Sequence, residues 1–496
     1  VGFDPWLHTI AEVKALREAI ETAGGTLVAV DKNAIDAIWD DQPTAPAAEI
    51  EIHPIELAGE LAKDKIARLS TVLEEANVTY TVLTDPASLA WTFNIRGGDV
   101  PHTPLALGFA IIGREGLPFV FLDHAKLTIE TEAYLTQLAS VLETAELEQH
   151  LAKLAAQGSH IGLDATLAAE RLRMIIDDNG GTVIDLADPA RLPRAIKNEA
   201  ELAGSRTAHR RDGAAIVKFL HWLDMQQPGS IDEIAAVGAL EGFRRRVGDE
   251  MQMKLRDISF DTISGAGANG AIVHYRVTTK TNRELQEGEL YLVDSGGQYQ
   301  DGTTDITRTI AIGSPSEEMC QRATLVLKGM IAISMLRFPA GTRGSDIDAF
   351  ARQALWQAGL DYAHGTGHGV GSYLAVHEGP QRIAKSGTQP LLAGMIISNE
   401  PGYYKTDAYG IRLENLIVVR PPEAIAGGDI DMHDFETLTL APFDRRLIRT
   451  DILNTAELDW LNAYHARVLA EIGPLVDGPV LAWLEAATAP LSQQVS

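Results

Sequence analysis

The chain has 496 residues and a mass of 53.6 kDa, so at about 150 residues per domain it has room for roughly three domains. Hydrophobic residues make up 45% and charged residues 22%, which is ordinary for a globular protein and excludes a disordered or fibrous chain. The formal net charge of −26 argues against a general surface for nucleic acid or for anionic membranes.

The N-terminal part of the chain is predicted to alternate helix and strand. Residues 10–22 have helical periodicity and residues 26–30 are strand-like, before Pro43, Pro46 and Pro54 interrupt the pattern and mark a linker. Beyond the linker, apolar periodicity predicts an α/β domain. Its helices are predicted over 64–77 and 166–178, and its strands over 78–83, 105–112 and 118–122.

A second proline-marked junction, at Pro189 and Pro193, precedes a region with a different layout. Long helices are predicted over 199–225 and 230–247, the second with capping-box spacing from Ser230 to Glu233. Helix pairs separated by groups of strands indicate an α+β layer structure. The strands are predicted over 271–279, 289–293, 306–312, 395–398 and 411–419, and the further helices over 316–336, 345–360 and 455–472.

Cysteine content and hydropathy narrow the class further. Cys320 is the single cysteine, which excludes an internal disulfide and a cysteine-based zinc site and suggests a reducing compartment. No apolar run reaches the roughly 18 residues of a membrane helix, and the N-terminus lacks a basic-then-apolar secretory signal. We therefore expect a cytoplasmic protein without a membrane partner, in which any metal binds to oxygen and imidazole ligands.

The most informative segment is YLVDSGGQYQDGTTDITRTIAI at 291–312, two strand-like runs joined by a glycine-rich connection. It predicts a β-hairpin in which Asp294 closes the first strand and Asp305 opens the second. Desolvating an unpaired carboxylate costs several kcal/mol, so a metal ion is a natural partner for the two side chains. The alternative is that both aspartates cap turns next to glycine.

Four other segments place ligand-type side chains in or beside apolar strands: His368 in HGTGHGVG, His377 in AVHEGP, Glu400 in MIISNEPGYY and Glu414 in IRLENLIVV. Glutamate is depleted from strand interiors. Arg412 would share a strand face with Glu414, so an ion pair between these two is the alternative. Four carboxylates and one imidazole suit Mn, Co or Zn, and two ions about 3.5–4 Å apart would balance the charge. This set predicts a dinuclear hydrolase.

Six motifs in order resemble one known family, the metal-dependent aminopeptidases with the pita-bread fold, and within it the three-domain cytosolic aminopeptidase P (Xaa-Pro aminopeptidase) group. The motifs are GANGAIVHY at 267–275, VDSGGQYQDGTTDITRT at 293–309, GTGHGVG at 365–371, HEGPQ at 377–381, NEPGYY at 399–404 and RLEN at 412–415. The segment AWTFNIRGGDVPHTPL at 90–105 is similar to the middle domain of this family.

The resemblance implies an α+β protein with four segments. A pita-bread catalytic domain would follow creatinase N-terminal-like α/β domains, the first of them shortened. The implied bounds are 1–48 for the remnant of the first domain, 49–195 for the second, 196–445 for the catalytic domain and 446–496 for a C-terminal helical extension.

The resemblance also implies a metal-ligand set. Asp294 and Asp305 would bind one divalent ion, and Asp305, His368, Glu400 and Glu414 the other, with Asp305 and Glu414 bridging. Manganese is the expected ion, and zinc or cobalt would accept the same donors. A hydroxide that bridges the two ions would attack the peptide carbonyl.

Roles for the remaining site residues follow from the same resemblance. Glu400 would shuttle the proton; His274 and His377 would assist catalysis; and His274, His364, His377 and Arg412 would bind substrate. The implied activity is release of the N-terminal residue from peptides with proline in second position, by a homodimer joined through its catalytic domains.

Three alternatives remain. A prolidase restricted to dipeptides would have the same five ligands, although the HEGPQ segment and the additional N-terminal domain argue against it. A metal-free, creatinase-like relative would lack the ligand set. A dinucleotide site at Gly265, Gly267 and Gly270, which match GxGxxG, is disfavoured because a strand rather than a helix is predicted to follow.

Overall fold

The computed structural model describes residues 1–493 and divides the chain into two compact units, Val1–Arg194 and Ala195–Ser496. Each unit is described separately below. None of the helices in the described part of the chain is both long enough and apolar enough to cross a lipid bilayer. The mixed helix and strand content confirms the predicted α+β class.

The first unit is built on a six-stranded mixed sheet covered by helices. Phe121, Leu151 and Leu172 are fully buried between the sheet and two of these helices. The sheet runs in the order Thr182–Asp185, His160–Leu163, Tyr80–Leu83, Phe109–Gly113, Phe119–Phe121 and Ser140–Leu142. Two separate two-stranded sheets pair Gly2–Phe3 with Val28–Ala29 and Glu51–Ile52 with Ile95–Arg96. The helices are Ile10–Thr22, Ile55–Ala58, Ala62–Glu75, Pro86–Phe93, Ile129–Leu135, Leu147–Ala155, Glu170–Asp178 and, across the boundary between the units, Arg191–Ala195.

Long helices frame the second unit and supply its largest apolar core. Fully buried side chains such as Val326, Leu355 and Leu461 come from three of these helices. The α-helices are Glu199–Asp224, Glu233–Glu250, Glu317–Ser334, Gly344–Gln357, Thr455–Ile472 and Gly478–Ala487. The five predicted by periodicity are therefore confirmed, with ends that shift by a few residues.

Two local expectations are wrong. Helix Glu233–Glu250 is capped by Asp232, whose carboxylate accepts the Ala235 N–H at 2.7 Å, whereas the Ser230 hydroxyl donates to a turn carbonyl instead. Residues 271–279 form no strand: the 3-10 helix Gly267–Ala271 leads into irregular chain. The buried Glu233 carboxylate accepts from the Tyr275 hydroxyl and from Ala266, Asn269 and Arg283 on either side of this segment, so these bonds replace a strand ladder.

Two antiparallel strand pairs of the second unit position the ligand-type residues. The aspartate hairpin, Glu289–Ser295 with Ile306–Ile312, forms as predicted, although its first strand extends two residues beyond the expected end. The glutamate ladder pairs Ile396–Asn399 with Asn415–Val419. The predicted strand over 411–419 is in fact two strands, Tyr409–Arg412 and Asn415–Val419, and Glu414 lies in the interruption.

The remaining strands complete the sheets around these pairs. Ile263–Ala266 extends the aspartate hairpin, and Gly367–Gly369, Glu378–Ile383 and Phe435–Thr437 extend the glutamate ladder to five strands. Gly402–Lys405 pairs with Tyr409–Arg412, and short pairs join Asp257–Ile258, Gly297–Tyr299 and Gly302–Thr303, as well as Phe338–Pro339 and Met432–His433.

Substitution at Gly296, in the connection of the aspartate hairpin, should destabilise the fold. A Cβ atom there would overlap the Thr304 carbonyl oxygen and the Ser259 hydroxyl. We expect Gly296→Ala to lower the free energy of unfolding in urea by about 1–3 kcal/mol. Gly238→Ala is the matched control, because this exposed helical position has open space and should gain about 0.5–1 kcal/mol. Equal effects of the two substitutions would contradict the argument.

Candidate metal centre

The aspartate hairpin brings Asp294 and Asp305 to one end of the sheet. Asp294 pairs with Thr307 and Ser295 with Ile306, so Asp305 lies one position beyond the last paired residue. Both aspartates are buried, with 7% and 4% of their surfaces exposed. The two carboxylates are therefore held by the backbone of paired strands in a place that water barely reaches.

The glutamate ladder contributes the next two carboxylates by the same principle. Asn399 faces Asn415 in the last pair of this ladder, so Glu400 and Glu414 occupy the next two facing positions. The Glu400 N–H donates to the Thr366 carbonyl at 2.8 Å, which fixes the backbone where the strand ends. Antiparallel register thus places Glu400 and Glu414 opposite each other at one end of their ladder.

His368 completes the carboxylate cluster, our name for Asp294, Asp305, Glu400 and Glu414 together with this imidazole. The Nε2 atom of His368 is 3.6 Å from Asp305 Oδ2 and 3.5 Å from Glu400 Oε1. One ligand atom each from Asp305, His368 and Glu414 lies within 4.8 Å of the other two. Such convergence of carboxylate oxygens and an imidazole nitrogen suits a divalent cation.

The protonation state of His368 also suits a metal ligand. Its Nδ1 is 2.9 Å from the Gly369 carbonyl oxygen, an acceptor, so Nδ1 carries the proton and Nε2 faces the carboxylates with a lone pair. Burial, with a smaller contribution from His377, lowers the pKa of His368 to about 3, so the ring is neutral. The proton of Nδ1 fixes the direction of the ring.

Without a cation, the carboxylates of the cluster resist ionisation. Burial, followed by repulsion from neighbouring carboxylates, raises the pKa of Asp305 and Glu414 well above their ordinary values. Burial likewise raises the pKa of Glu400 to about 8. Three buried oxygens of the cluster have no hydrogen-bond partner within residues 1–493: Asp294 Oδ1, Asp305 Oδ1 and Glu414 Oε1. Buried carboxylate oxygens without donors require compensation, and divalent cations would supply it.

Protein donors bond one oxygen on each of three carboxylates of the cluster. Arg412 Nη2 donates to Asp294 Oδ2 at 2.6 Å, and the Thr307 hydroxyl donates to Glu414 Oε2 at 2.7 Å. The Ser398 hydroxyl donates to a Glu400 oxygen at 3.0 Å. Arg412 therefore pairs with Asp294, which lies on a strand of another sheet, and not with Glu414, because the strand that would have put Arg412 and Glu414 on one face is interrupted between them.

Tyr404 is a site residue for which no role was predicted from the sequence. Arg412 Nη1 donates to the Tyr404 hydroxyl at 2.6 Å, and that hydroxyl is 2.9 Å from His364 Nε2. His364 Nδ1 donates to the Gly365 carbonyl, so Nε2 accepts from Tyr404. Burial above all lowers the pKa of His364 to about 4 and raises that of Tyr404 to about 12, so both groups are neutral. The pairing of strand Gly402–Lys405 with the strand of Arg412 is the signal that would have revealed Tyr404.

The other two predicted histidines lie at exposed positions. The His377 ring is 4.3 Å from the His368 ring, edge to face, and the next residue, Glu378, forms a buried ion pair with Lys197. His274 lies in the irregular turn after the 3-10 helix. Its charge is among the causes that lower the pKa of His364, after burial and nearby arginines. The structure thus brings His377 beside the cluster and leaves His274 accessible to solvent.

Comparison with known proteins agrees with this arrangement. The chain matches models of metallopeptidase family M24 over residues 203–421, the creatinase/prolidase N-terminal domain over 41–201 and the C-terminal region of peptidase M24 over 431–491. It is 38% identical over 515 residues to a protein of Arthroderma gypseum named "Probable Xaa-Pro aminopeptidase P", covering 99% of this chain and 79% of that protein. The chain belongs to the Xaa-Pro aminopeptidase P family.

Other members of the Xaa-Pro aminopeptidase P family show the same similarity. Aminopeptidase P2 of Arabidopsis thaliana is 37% identical over 529 residues, covering 99% of this chain and 74% of that protein. The X-prolyl aminopeptidase of Caenorhabditis elegans, described as a cytosolic enzyme with a di-nuclear active site, is 32% identical with a TM-score of 0.92, covering 99% of this chain and 80% of that one. The expected family is therefore confirmed.

A more distant structure shares only the fold with this aminopeptidase P family member. The Xaa-Pro dipeptidase of Bacillus anthracis is 24% identical with a TM-score of 0.61, covering 77% of this chain and 99% of that one. Fold alone therefore does not distinguish an aminopeptidase from a dipeptidase.

Metal removal should make stability depend on pH. The folded-state pKa of Glu400 is about 8, against an ordinary value of 4.5, so between these values the folded state binds more protons than the unfolded state. The free energy of unfolding of chelator-treated protein should therefore fall as pH rises from about 5 to 8, and added Mn²⁺ should remove this dependence. Thermal unfolding at each pH measures it.

Two glutamate substitutions, one in the cluster and one at an exposed position, separate the effect of the cluster on stability from the general effect of removing a negative charge. Glu400→Gln should flatten the pH dependence of Tm in the metal-free protein, and Glu423→Gln, the same change at an exposed position, should leave it as in the unmodified chain. Parallel curves of Tm against pH for all three proteins would contradict the raised pKa of Glu400.

Proposed function

We propose that this chain is a metal-dependent aminopeptidase that releases the N-terminal residue from peptides with proline in second position. The observation that carries the proposal is the carboxylate cluster, in a chain 38% identical over nearly its whole length to a protein named Xaa-Pro aminopeptidase P. Three buried carboxylate oxygens without a partner in the described chain support the metal-dependent part.

The bond to be cut explains why such a site is needed. The amide before proline is tertiary, so it has no N–H that an enzyme can bind, and the proline ring hinders its nitrogen. Recognition must therefore rest on the free amino terminus, on the carbonyl oxygen and on the shape of the ring. An exopeptidase that requires the free amine cuts only after the first residue.

For the metal ligands we propose the assignment implied by the resemblance. Asp294 and Asp305 would hold one ion, and Asp305, His368, Glu400 and Glu414 the other, with Asp305 and Glu414 shared. Divalent ions held there would supply Lewis acidity toward a water molecule and the peptide carbonyl. The neutral His368 ring, with Nε2 directed at two carboxylates, supports this assignment.

Proton transfer is the proposed second role of Glu400. Its carboxylate accepts a proton from the attacking water and returns it to the prolyl nitrogen, which must be protonated before it can leave. The Ser398 hydroxyl on one carboxylate oxygen and the fixed backbone N–H orient the side chain for this task.

Substrate binding is proposed for His274, His364, His377 and Arg412, with His274 and His377 also assisting proton transfer. The exposed positions of His274 and His377 and the contact of His377 with the His368 ring support this role. Arg412 is bonded to Asp294 and Tyr404, so its contribution to binding is to keep the cluster and His364 in place.

Several finer features belong to the same proposal. Manganese is the proposed native ion, with zinc or cobalt as alternatives that the donors also accept. The cytoplasm is the proposed location, supported by the single cysteine and by the description of the C. elegans relative as cytosolic. The domain bounds 1–48, 49–195, 196–445 and 446–496 and a homodimer joined through its catalytic domains complete the proposal, and light scattering would test the dimer.

Peptide hydrolysis by chelator-stripped protein tests the activity. With added Mn²⁺, we expect release of arginine from Arg-Pro-Pro and no release from an Xaa-Ala tripeptide. Glu400→Gln should lower kcat by about 100-fold or more, because general acid–base catalysis contributes about 10²–10⁴-fold. Glu423→Gln is the control and should retain full activity. Cleavage of an Xaa-Pro dipeptide alone would make the chain a prolidase, and no cleavage at all would refute the proposal.

Removal of the Tyr404 hydroxyl tests the bonds that orient Arg412 and His364. Tyr404→Phe should lower kcat/KM for Arg-Pro-Pro by about 10–100-fold, the usual effect of losing a partner that orients a metal site. Tyr403→Phe removes a neighbouring hydroxyl on the same strand and should leave kcat/KM unchanged. Similar losses in the two variants would mean that this strand matters only for packing.

A further inference from the structure

Arg308, a buried residue outside the carboxylate cluster, forms an unusually complete set of hydrogen bonds. Only 2% of its surface is exposed, and its guanidinium lies 4.3 Å from the centre of the Phe443 ring. Its acceptors are all neutral: the carbonyl oxygens of Thr307, Glu414, Ala441 and Pro442, the amide oxygen of Asn415 and the hydroxyl of Tyr464. Burying a cation against neutral acceptors costs free energy, which points to a role of Arg308 in positioning the groups that it binds.

Glu414 is the residue for which this arrangement matters most. It lies in the interruption between strands Tyr409–Arg412 and Asn415–Val419, so strand pairing does not fix its peptide group. The Glu414 N–H donates to the Thr307 carbonyl at 3.2 Å, and Arg308 Nη1 donates to the Glu414 carbonyl at 2.6 Å. Adjacent residues of the aspartate hairpin therefore bind both sides of the Glu414 backbone.

The C-terminal part of the chain holds Arg308 from its other side. Tyr464, on helix Thr455–Ile472, accepts from Arg308 Nη2 at 3.1 Å and lies 2.9 Å from the Ala441 carbonyl oxygen. Ala441 and Pro442 in turn accept from Arg308. Tyr464, Ala441 and Pro442 lie in the segment 431–491 that matches the C-terminal region of peptidase M24. The proposed reaction assigns no role to this region.

We propose that Arg308 and Tyr464 are positioning residues for Glu414, through which the C-terminal region sets the affinity of the centre for its metal ions. The inference rests on the proposed role of Glu414 as a shared ligand. Arg308 fixes the peptide group of Glu414 and the side chain of Asn415, and Tyr464 with the 439–442 segment fixes Arg308. The hydrogen bonds of both residues within the described chain go to backbone and uncharged side-chain oxygens and to none of the cluster carboxylates.

The side-chain type at 308 is a specific part of this inference. Arginine has five N–H groups in a rigid fork, which can bond Glu414 on one nitrogen and Asn415 and Tyr464 on the other. Lysine would keep the charge but present three donors from one point, so it cannot satisfy both sides at once. Arg308→Lys therefore separates the geometry of the guanidinium from its charge.

Metal affinity is the direct test. Chelator-stripped Arg308→Lys and Tyr464→Phe should bind Mn²⁺ more weakly in calorimetric titration, with Kd raised about 10–100-fold for Arg308→Lys, as for partners that orient metal ligands, and less for Tyr464→Phe. At saturating Mn²⁺, kcat for Arg-Pro-Pro should recover while KM for the peptide stays unchanged. Loss of folding in general would not produce this pattern, and circular dichroism verifies the fold.

Tyr134→Phe is the matched control. The Tyr134 hydroxyl of the other compact unit, like that of Tyr464, is bonded to a backbone carbonyl oxygen, so its removal costs a similar bond without an expected effect on Mn²⁺ affinity. Should Arg308→Lys fail to fold, Tyr464→Phe decides the matter: an unchanged Kd overturns the inference. An equal loss of affinity in Tyr134→Phe would also overturn it. Wild-type protein that binds Mn²⁺ but cleaves no Xaa-Pro peptide would refute the proposed function alone, because Kd is the readout here.

Discussion

Four carboxylates packed close together repel one another, and burial has removed most of the water that would stabilise their charges. Protein donors relieve part of this cost: Arg412 binds Asp294, the Thr307 hydroxyl binds Glu414, and a serine hydroxyl binds Glu400. One oxygen on each of three residues has no donor within the described chain. The second unit thus concentrates carboxylates whose charge a proton or a bound cation has to neutralise, and its strand registers and the buried Arg412 hold that arrangement.

Directional hydrogen bonds then decide which atoms face that charge. The carbonyl oxygens of Gly365 and Gly369 accept hydrogen bonds from the Nδ1–H groups of His364 and His368, so both rings present Nε2 as an acceptor. In one ring this atom faces the carboxylates, and in the other it faces Tyr404, which in turn accepts from Arg412. The glycine-rich segment around these histidines therefore acts through its carbonyl groups.

Sequence reasoning succeeded where a periodic pattern was long or a chemical type was out of place. Helix Thr455–Ile472 has the predicted bounds, and Glu400 and Glu414 were noticed because glutamate is rare in apolar strands. It failed where side chains replaced backbone pairing: residues 271–279 have strand-like composition, but the Glu233 carboxylate binds that segment from a distant helix. Arg308 carried no local signal, because its role depends on Glu414, 106 positions away. Tyr404 could have been found only through the pairing of its strand with the strand of Arg412.

The division of the cluster between two strand pairs that are distant in the chain has a consequence for the order of folding. The two aspartates lie on one strand pair and the two glutamates on another. The Thr307 and Glu414 side chains, which meet at the cluster, are 107 positions apart in the chain. Closing such long loops is slow relative to forming a hairpin. An ion can therefore be captured fully only after both sheets have docked, so occupancy of the centre reports that the tertiary structure of this unit is complete.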